Sequence, residues 1–311
     1  MVNLNSATHI IVLMQPAGAN LRFDDLNKAI EQSGGTLIEQ KNVPVPVTLM
    51  ERRSVYNFWV DCPDEVGLSG RLRALSDAHG VDLALQCRRI RTRTFRLAVF
   101  DMDSTLIECE VIDELAAAAG VGAEVAEITA QAMRGEVDFD ESFHRRLALL
   151  KGLDAAAVTE LADRLPIQEG LYEMTTTLKA RGITLAIFSG GFIPIAQRLQ
   201  SDYGFDEVVA NELEVVDGII TGRVIPPIVN RQYKAMALKN LADRVGCSVG
   251  EAVAVGDGAN DLDMIDLAGL GVAFHAKPAV RAVSPIELTH IGLDGVCYLL
   301  GSHGEFVSDD P

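Results

Sequence analysis

Three short apolar runs in this chain each end in a cluster of small, polar or acidic residues, and this pattern restricts the fold more than any other feature. Leu97–Phe100 is followed by DMDST from Asp101, Thr184–Phe188 by SGG from Ser189, and Ala252–Val255 by GDGAND. Continuous apolar runs of this length are typical of parallel strands buried on both faces. Because sites in open α/β sheets form beyond the carboxyl ends of the strands, we expect the three clusters to meet at one edge.

The segments between these runs have the spacing of helices. Helical patterns cover Leu171–Arg181 and Tyr233–Val245, and a further helix begins at Ile193, while Asp217-Gly218 between two apolar runs indicates a β-hairpin. Strands that alternate with helices predict an α/β, doubly wound, Rossmann-like core. From about residue 107 to 169 the pattern is helical throughout, with Asp138 and Asp154 as predicted helix starts. We therefore expect a small helical cap inserted after the first polar cluster.

The first ninety residues predict a separate domain. Their order of elements is β-α-β-β-α-β, which is the ferredoxin-like α+β pattern. The predicted elements are His9–Met14, Phe23–Gln32, Thr36–Val43, Ser54–Asp61, Glu65–His79 and Val81–Cys87. This order resembles that of small ligand-sensing domains of the ACT type, although Gln15-Pro16-Ala17-Gly18 replaces the Asp-containing first turn of that family. The resemblance implies a regulatory or dimerisation role, and a homodimer through this domain.

A basic run separates the two parts of the chain. It comprises Arg88–Arg93, interrupted by Ile90 and Thr92, with Arg96 beyond. Such runs are usually solvated surfaces or linkers. We therefore place the domain boundary here, with an N-terminal domain at residues 1–92 and a second domain at residues 93–311.

Composition excludes several classes of protein. The chain has 311 residues, 48% of them hydrophobic, and a formal net charge of -17. A negative field of this size repels polyanions, so we expect neither a nucleic-acid nor an anionic-membrane partner. No apolar run is long enough for a membrane span. The five cysteines are odd in number and form no CxxC pair, which favours a reducing, cytoplasmic environment.

The polar clusters supply the parts of a phosphoryl-binding site. Asp101, Asp103 and Asp257 offer hard oxygen ligands, which suit magnesium better than zinc. None of the six histidines lies in the clusters, so Ser-His or Cys-His catalysis is not expected. The glycines permit close approach of backbone amides to an anion, Ser189 adds a hydroxyl, and Lys234 adds a positive charge. Carboxylates, magnesium, amides and a lysine together favour phosphoryl transfer.

These motifs resemble those of the haloacid dehalogenase superfamily of phosphatases. DMDST, FSGG, the isolated lysine and GDGAND occur in the order and spacing of that superfamily, from about Leu97 to Ala276. The resemblance implies that Asp101 attacks phosphorus to form an aspartyl-phosphate and that Asp103 is the general acid and base. It implies that Mg²⁺ is held by Asp101, Asp257 and the backbone carbonyl of Asp103, with Asp261 supporting its shell.

The cap sequence narrows the resemblance to one family within the superfamily. DMDSTLIECEVIDELA followed by MRGEVDFDESFHRRLALLKGL closely resembles phosphoserine phosphatases. Under this resemblance Glu110 receives a substrate ammonium group and Arg146 its carboxylate. Met133 and Phe139 would form an apolar wall of the pocket. Ser189 and Lys234 would hold the phosphoryl oxygens, and Gly190 and Asn260 would complete the pocket. Arg145 is adjacent to Arg146, and only the motif spacing chooses between them.

Three functions follow from these observations and compete. The first is magnesium-dependent hydrolysis of O-phosphoserine to serine and phosphate, the last step of serine biosynthesis. The second is hydrolysis of another small phosphomonoester, or phosphate transfer to a second alcohol. The third is an amino-acid-responsive regulatory protein in which hydrolysis is secondary. Cys109, beside Glu110, is either oxidation-sensitive or an inert residue at the base of the cap.

Overall fold

The computed structural model describes residues 6–301 of the chain. The chain divides into two compact units that are not consecutive in sequence. One unit takes in the chain up to Phe95, Glu169–Thr177 and the chain from Val272 on; the other contains Arg96–Gln168 and Leu178–Gly271. The division at residue 92 remains a prediction about the domains. Within residues 6–301, no helix combines the length and apolar character needed to cross a bilayer.

The first unit contains the β-α-β-β-α-β order that the sequence predicts. Its elements are β1 (His9–Pro16), α1 (Phe23–Gln32), β2 (Thr36–Val43), β3 (Arg53–Asp61), α2 (Glu65–His79) and β4 (Asp82–Cys87). The strands form an antiparallel sheet in the order β2-β3-β1-β4. This confirms the ferredoxin-like arrangement, while the likeness to ACT domains stays a prediction.

Local signals set the bounds of α2. The Asp64 side chain accepts a hydrogen bond from the backbone N–H of Gly67 at the start of the helix, and Gly80 ends it with a φ of 64°. Leu68 and Leu72 point from the helix into a core that also contains Phe58 of β3. Burial of such side chains is the main stabilising contribution to this unit.

The basic run is not a solvated linker along its whole length. Arg88–Arg91 forms the short helix α3, and Arg91 is buried. The Arg91 guanidinium donates hydrogen bonds to the Gln86 side chain and to the backbone carbonyl of Tyr298. The prediction was therefore wrong for Arg91, because a guanidinium can be buried when carbonyl oxygens satisfy its donors.

Asp82 connects β4 to the segment after strand β11 (Glu287–Leu288). Its carboxylate is fully buried and accepts hydrogen bonds from the backbone N–H groups of Thr289, His290 and Ile291, at 2.8, 3.0 and 3.0 Å. Burial raises the pKa of this carboxyl, and the Thr289 and His290 amides oppose that rise. The Asp82 carboxylate thus provides the hydrogen-bond acceptors that water would otherwise provide for these three backbone N–H groups.

Asp82→Ala should lower the free energy of unfolding by about 3–5 kcal/mol, because each buried donor left without a partner costs ~1–3 kcal/mol. Chemical denaturation followed by circular dichroism measures the loss. Asp82→Asn keeps one acceptor oxygen and should fall between wild type and alanine. An alanine variant as stable as wild type would show that the three amides find other partners.

The second unit is an α/β sheet with helices, as predicted. Strands β5 (Leu97–Phe100), β6 (Thr184–Phe192), β7 (Glu207–Val216), β8 (Ile219–Ile225) and β9 (Ala252–Gly256) lie in the order β9-β5-β6-β7-β8. β10 (Leu270–Phe274) lies next to β9 in the strand order. Its first two residues belong to this unit, and its last two residues pair with β11 in the first unit. β5 is parallel to both β6 and β9, and β7–β8 is an antiparallel hairpin.

The predicted helical cap is present. Its helices are α4 (Val111–Ala118), α5 (Gly122–Met133), α6 (Phe139–Leu149) and α7 (Ala156–Ala162). Asp138 caps α6 through the backbone N–H of Glu141, and Asp154 accepts a hydrogen bond from Ala156 at the start of α7, as the sequence indicates. Ile107 and Ile167 pair as an isolated bridge where the chain enters and leaves the cap.

The remaining helices complete the chain. They are α8 (Leu171–Ala180), α9 (Ile193–Tyr203), α10 (Arg231–Val245), α11 (Leu262–Leu267), α12 (Pro278–Arg281) and α13 (Gly295–Leu299). Asn230 caps α10 by accepting a hydrogen bond from the Tyr233 backbone, which places Lys234 in the first turn. The five cysteines are all free thiols, as the sequence predicts.

Candidate active site

The carboxyl ends of β5, β6 and β9 bring the three polar clusters to one edge of the sheet. The pairs Phe100↔Ile187 and Phe100↔Val255 are in register, so the residues that follow each strand lie at the same level. β6 continues through Ser189-Gly190-Gly191 to Phe192, beyond the predicted end at Phe188. A Cβ atom at Gly191 would lie 2.6 Å from the terminal methyl group of Met102, 2.9 Å from Asp103 Oδ2 and 3.0 Å from Ser189 Oγ, so a side chain here would displace residues of the clusters.

A cluster of buried charges lies behind this edge. Carboxylate oxygens of Asp101, Asp257 and Asp261 lie within 4.8 Å of one another. The Lys234 ammonium is 2.7 Å from Asp101 Oδ1 and 2.7 Å from Asp261 Oδ1, and its side chain is fully buried. Three carboxylates against one ammonium leave an excess of negative charge in a site of low dielectric. Hard oxygen donors in this arrangement fit a magnesium ion.

The pKa values of the cluster follow from burial and from these neighbours. Burial and the negative charge of Asp261 raise the pKa of Asp101 to about 7, while Lys234 acts in the opposite direction. Burial disfavours the charged form of Lys234, but Asp101 and Asp261 outweigh it and raise the lysine pKa. The lysine therefore keeps its charge and holds Asp101 in place.

Asp103 lies in a different environment from Asp101. Burial raises the pKa of Asp103 well above its usual value, and the charges of Glu110 and Asp101 add to the rise. Its Oδ1 atom is buried with no hydrogen-bond partner among residues 6–301. Burial and the neighbouring carboxylates both favour the protonated form of Asp103, which is the form that a proton donor requires.

The charged edge opens into a small cavity of about 90 Å³ beneath the cap. The core supplies carboxylates, glycines and an amide, and the cap supplies aromatic rings and two opposite charges. The lining residues are Asp101, Asp103, Glu110, Ile112, Phe139, Phe143, Arg146, Gly190, Gly191, Phe192, Asp257 and Asn260. A cavity of this size fits a small molecule.

Glu110 and Arg146 bring opposite charges to the cap side of the cavity. Glu110 Oε1 accepts a hydrogen bond from the Ser104 hydroxyl at 3.0 Å. Burial lowers the pKa of Arg146, and Asp113 and Glu110 partly restore it, so the guanidinium stays charged. Arg145 faces away and pairs with Glu141 on the exposed side of α6. Of the two adjacent arginines, only Arg146 lines the cavity.

Comparison with known proteins decides the family. The model of the haloacid dehalogenase-like hydrolases matches residues 95–269, which is more than half of the chain. The chain belongs to the haloacid dehalogenase-like hydrolases. Among its relatives, "Phosphoserine phosphatase SerB2" of Mycobacterium tuberculosis is 48% identical over 85% of this hydrolase and 64% of the relative. The phosphoserine phosphatase of Streptococcus thermophilus is 44% identical over 67% of the chain and 97% of the relative.

Solved structures of related hydrolases agree with this assignment. A hydrolase of this family from Salmonella enterica superposes with a TM-score of 0.82 at 30% identity, covering 95% of this chain and 99% of that one. A probable phosphoserine phosphatase from Vibrio cholerae gives 0.75 at 34% identity, covering 96% and 88%. The first two curated relatives are longer, and this hydrolase spans 64% and 61% of their lengths.

The structure brings together most of the site residues predicted from the sequence, with one correction. Ser189 and Lys234 are fully buried behind the cavity, and the Ser189 hydroxyl accepts a hydrogen bond from the Gly191 amide at 2.8 Å. Met133 was expected in the apolar wall, but it is 75% exposed at the end of α5 and does not line the cavity. The face of α5 that carries Met133 is exposed to solvent, and Phe139, Phe143 and Phe192 form the aromatic part of the wall instead.

Sequence reasoning missed several residues of the wall and one that supports it. Ile112, Phe143 and Phe192 line the cavity. Phe143 follows Phe139 by one helical turn, and their rings stack at 6.1 Å, a spacing that the sequence could have suggested. Asn211 of β7 donates to the Gly190 carbonyl at 2.8 Å and accepts from the Val229 amide at 2.8 Å. Nothing in the local sequence marks Asn211 as the residue that orients Gly190.

The environment of Cys109 distinguishes its two interpretations. Burial raises its pKa from 9.0 to about 12, and the carboxylates Asp103, Glu114 and Glu110 add to the rise. The thiolate is the reactive form of cysteine, so this hydrolase holds Cys109 as an inert thiol.

Alkylation of Cys109 in the native protein with EDTA present should therefore be on the order of 10³-fold slower than that of an unperturbed thiol, in proportion to its thiolate population. Timed labelling with iodoacetamide at pH 8, followed by peptide mass spectrometry, measures the rate. Urea-unfolded protein is the control, since unfolding removes both causes of the shift. Equal rates in the native and unfolded states would instead support the oxidation-sensitive interpretation.

Proposed function

We propose that this hydrolase converts O-phosphoserine to serine and inorganic phosphate through an aspartyl-phosphate at Asp101. The observation that carries the proposal is the distribution of charge around one small cavity. Asp101 and Asp103 lie on its core side, while Glu110 and Arg146 lie on its cap side. A phosphorylated amino acid needs a phosphoryl site together with one anion and one cation for its ammonium and carboxylate groups.

In the first step, a carboxylate oxygen of Asp101 forms a bond to phosphorus, and the bond from phosphorus to the serine oxygen breaks. The raised pKa of Asp103 supports its role as the acid that gives its proton to the leaving serine oxygen. In the second step, ionised Asp103 takes a proton from water. That water bonds to phosphorus, phosphate leaves, and both carboxyl groups return to their starting states.

The phosphoryl oxygens would be held by the core. Lys234 supplies a buried positive charge beside Asp101, and Ser189 and Gly190 supply donors at the end of β6. Asn260, which lines the cavity near Gly190, would complete this side of the pocket. These groups are fixed before substrate arrives, so they stabilise the transition state without reorganisation.

The acidic cluster fits magnesium as the cofactor. Asp101, Asp257 and the backbone carbonyl of Asp103 would hold the ion, and Asp261 would support it. When bound, magnesium neutralises negative charge on the phosphoryl group and on the carboxylates. The fit rests on three buried carboxylates whose oxygens converge within 4.8 Å.

The cap would select the amino-acid part of the substrate. Glu110 would accept hydrogen bonds from the substrate ammonium, and Arg146 would donate two to its carboxylate. Phe139 contributes to the apolar wall, whereas the exposure of Met133 removes it from this proposal. Relatives named phosphoserine phosphatases, at 41–48% identity, support the same substrate. The reaction would complete serine biosynthesis in the cytoplasm, and the homodimer through the N-terminal domain remains a proposal.

A set of substrate analogues tests the proposal. With magnesium present, kcat/KM for L-phosphoserine should exceed that for phosphoethanolamine, which lacks the carboxylate, and that for 3-phosphooxypropanoate, which lacks only the ammonium group. We expect each analogue to lose about 10²-fold, because each lacks the group that one of the two cap charges would bind. Equal efficiency on all three would contradict an amino-acid substrate and leave a general phosphatase.

A further inference from the structure

A glycine of the β7–β8 hairpin lies close to helix α6. Gly222 of β8 has a φ of 81°, a conformation that side-chain-bearing residues rarely adopt. A Cβ atom at this position would lie 3.1 Å from the Ala148 Cα, 3.1 Å from the Leu147 carbonyl oxygen and 3.1 Å from the Lys151 Cβ. Two of these three neighbours are backbone atoms of α6, so no change of side-chain rotamer could relieve the contact.

The chain that leaves α6 is also attached to the hairpin. Ile220 exchanges backbone hydrogen bonds with this segment: the Gly152 amide donates to its carbonyl and its amide donates to the Leu153 carbonyl, both at 2.9 Å. The Ala155 amide donates to the Gly218 carbonyl at 2.8 Å. Residues 152–155 thus run along the outer edge of β8, and we call them the strap. Contact at Gly222 and the strap together fix the C-terminal end of α6.

This end of α6 is directly beside the residues of the helix that face the cavity. Arg146 precedes Leu147 and Ala148, and Phe143 lies one turn earlier. Because a helix moves as a rigid body over so short a distance, a displacement at Ala148 is carried to the Arg146 guanidinium. We propose that Gly222 is a positioning residue. Its close contact with α6 fixes where this helix packs against the hairpin, and the helix in turn sets the position of Arg146 over the cavity.

This inference rests on the proposed function, since it concerns the group assigned to the substrate carboxylate. It goes beyond that function because Gly222 is not among the residues that line the cavity. A displacement of α6 should impair recognition of the carboxylate and leave the phosphoryl chemistry of Asp101 and Asp103 unchanged. Misplacement of a binding group by as little as about 1 Å can reduce rates up to about 10²-fold.

The chain offers a matched control for a substitution at Gly222. Gly218 lies in the turn of the same hairpin with a φ of 80°, and among residues 6–301 no atom apart from those of its chain neighbours lies within 4 Å of its Cβ position. Gly222→Ala and Gly218→Ala therefore introduce similar backbone strain, and only the first introduces a contact with α6. We expect Gly222→Ala to raise KM for L-phosphoserine about tenfold, with kcat for an aryl phosphate within about twofold of wild type. Gly218→Ala should change both quantities by less than about twofold.

Two further variants keep the test decisive. Ala155→Pro removes one strap donor at a φ of -62°, which proline adopts, and should also raise KM for L-phosphoserine selectively. In an Arg146→Ala background, Gly222→Ala should add little, because its effect passes through the absent guanidinium. Thermal unfolding of each variant checks that the protein is folded under assay conditions.

If wild type hydrolyses L-phosphoserine and Gly222→Ala behaves like Gly218→Ala, the positioning role is overturned and the proposed function stands. Equal losses of Gly222→Ala on both substrates, or undiminished losses in the Arg146→Ala background, also overturn it. If wild type does not hydrolyse L-phosphoserine, the proposed function fails and the inference fails with it.

Discussion

Asp101→Asn should reduce kcat by at least about 10⁴-fold on every phosphomonoester, because an amide oxygen at this position cannot form the aspartyl-phosphate. The substitution keeps the shape of the side chain, so the loss reports chemistry rather than packing. Release of inorganic phosphate from L-phosphoserine and from an aryl phosphate measures it. Both substrates should be affected equally, since the change removes a step that they share.

The same variant should be at least as stable as wild type in the absence of divalent metal. Native Asp101 keeps its proton up to about pH 7, whereas an unfolded aspartate loses it near pH 4. Between these values the native state binds more protons, so this carboxyl makes wild type less stable as pH rises through the window. The amide of the variant does not titrate, and Lys234 retains Asp261 as its partner.

Thermal unfolding in EDTA at pH 5 and pH 8 tests this expectation. The difference in Tm between Asp101→Asn and wild type should be larger at pH 8 than at pH 5, in favour of the variant. A variant that is inactive and also strongly destabilised at both pH values would be explained by misfolding. A folded variant that retains more than about a hundredth of wild-type kcat would contradict nucleophilic catalysis by Asp101.

Arg146→Ala should discriminate between substrates in a way that Asp101→Asn does not. We expect kcat/KM for L-phosphoserine to fall by about 10²–10³-fold, as expected for the loss of a bidentate, charge-assisted contact in a buried site. Hydrolysis of an aryl phosphate, which has no carboxylate, should change by less than about threefold. Steady-state kinetics on both substrates measures the ratio, and the ratio is the informative quantity.

Arg145→Ala is the matched control for this change. It removes the same side chain one position earlier, but from the exposed side of α6, where Arg145 pairs only weakly with Glu141 at 3.8 Å. It should leave both substrates within about twofold of wild type. Similar losses for Arg145→Ala and Arg146→Ala, or a loss on the aryl phosphate as large as that on L-phosphoserine, would remove the argument for an amino-acid substrate.

The parts of the fold that could be predicted are those fixed by local chain physics. The four-residue run Leu97–Phe100 is fully buried as β5, and Asp101 follows it at the edge of the sheet because parallel strands share that edge. Asp138 and Gly80 mark helix ends through hydrogen bonding and backbone conformation alone. The shared edge of the parallel strands was sufficient to predict that Asp101, Asp103 and Asp257 lie close together, and all three line one cavity.

The parts that could not be predicted depend on how separate segments pack. Met133 and Phe143 both lie on cap helices, and only the rotation of each helix decides which one faces the cavity. Arg91 belongs to a basic run, yet it is buried because the Gln86 side chain and the distant Tyr298 carbonyl accept its hydrogen bonds. Asn211 orients Gly190 from another strand, a relation that no local pattern records.

The most direct test of the account is to locate the phosphoryl group during turnover. Wild-type protein is mixed with magnesium and L-phosphoserine, acid-quenched within the first turnover, and reduced with borohydride, which converts an aspartyl-phosphate to homoserine. Nucleophilic attack by Asp101 predicts homoserine at position 101 in peptide mass spectra of wild type, and its absence from Asp101→Asn. Homoserine at another aspartate, a phosphoryl group on Ser104 or Thr105, or release of phosphate with no modified residue would contradict it.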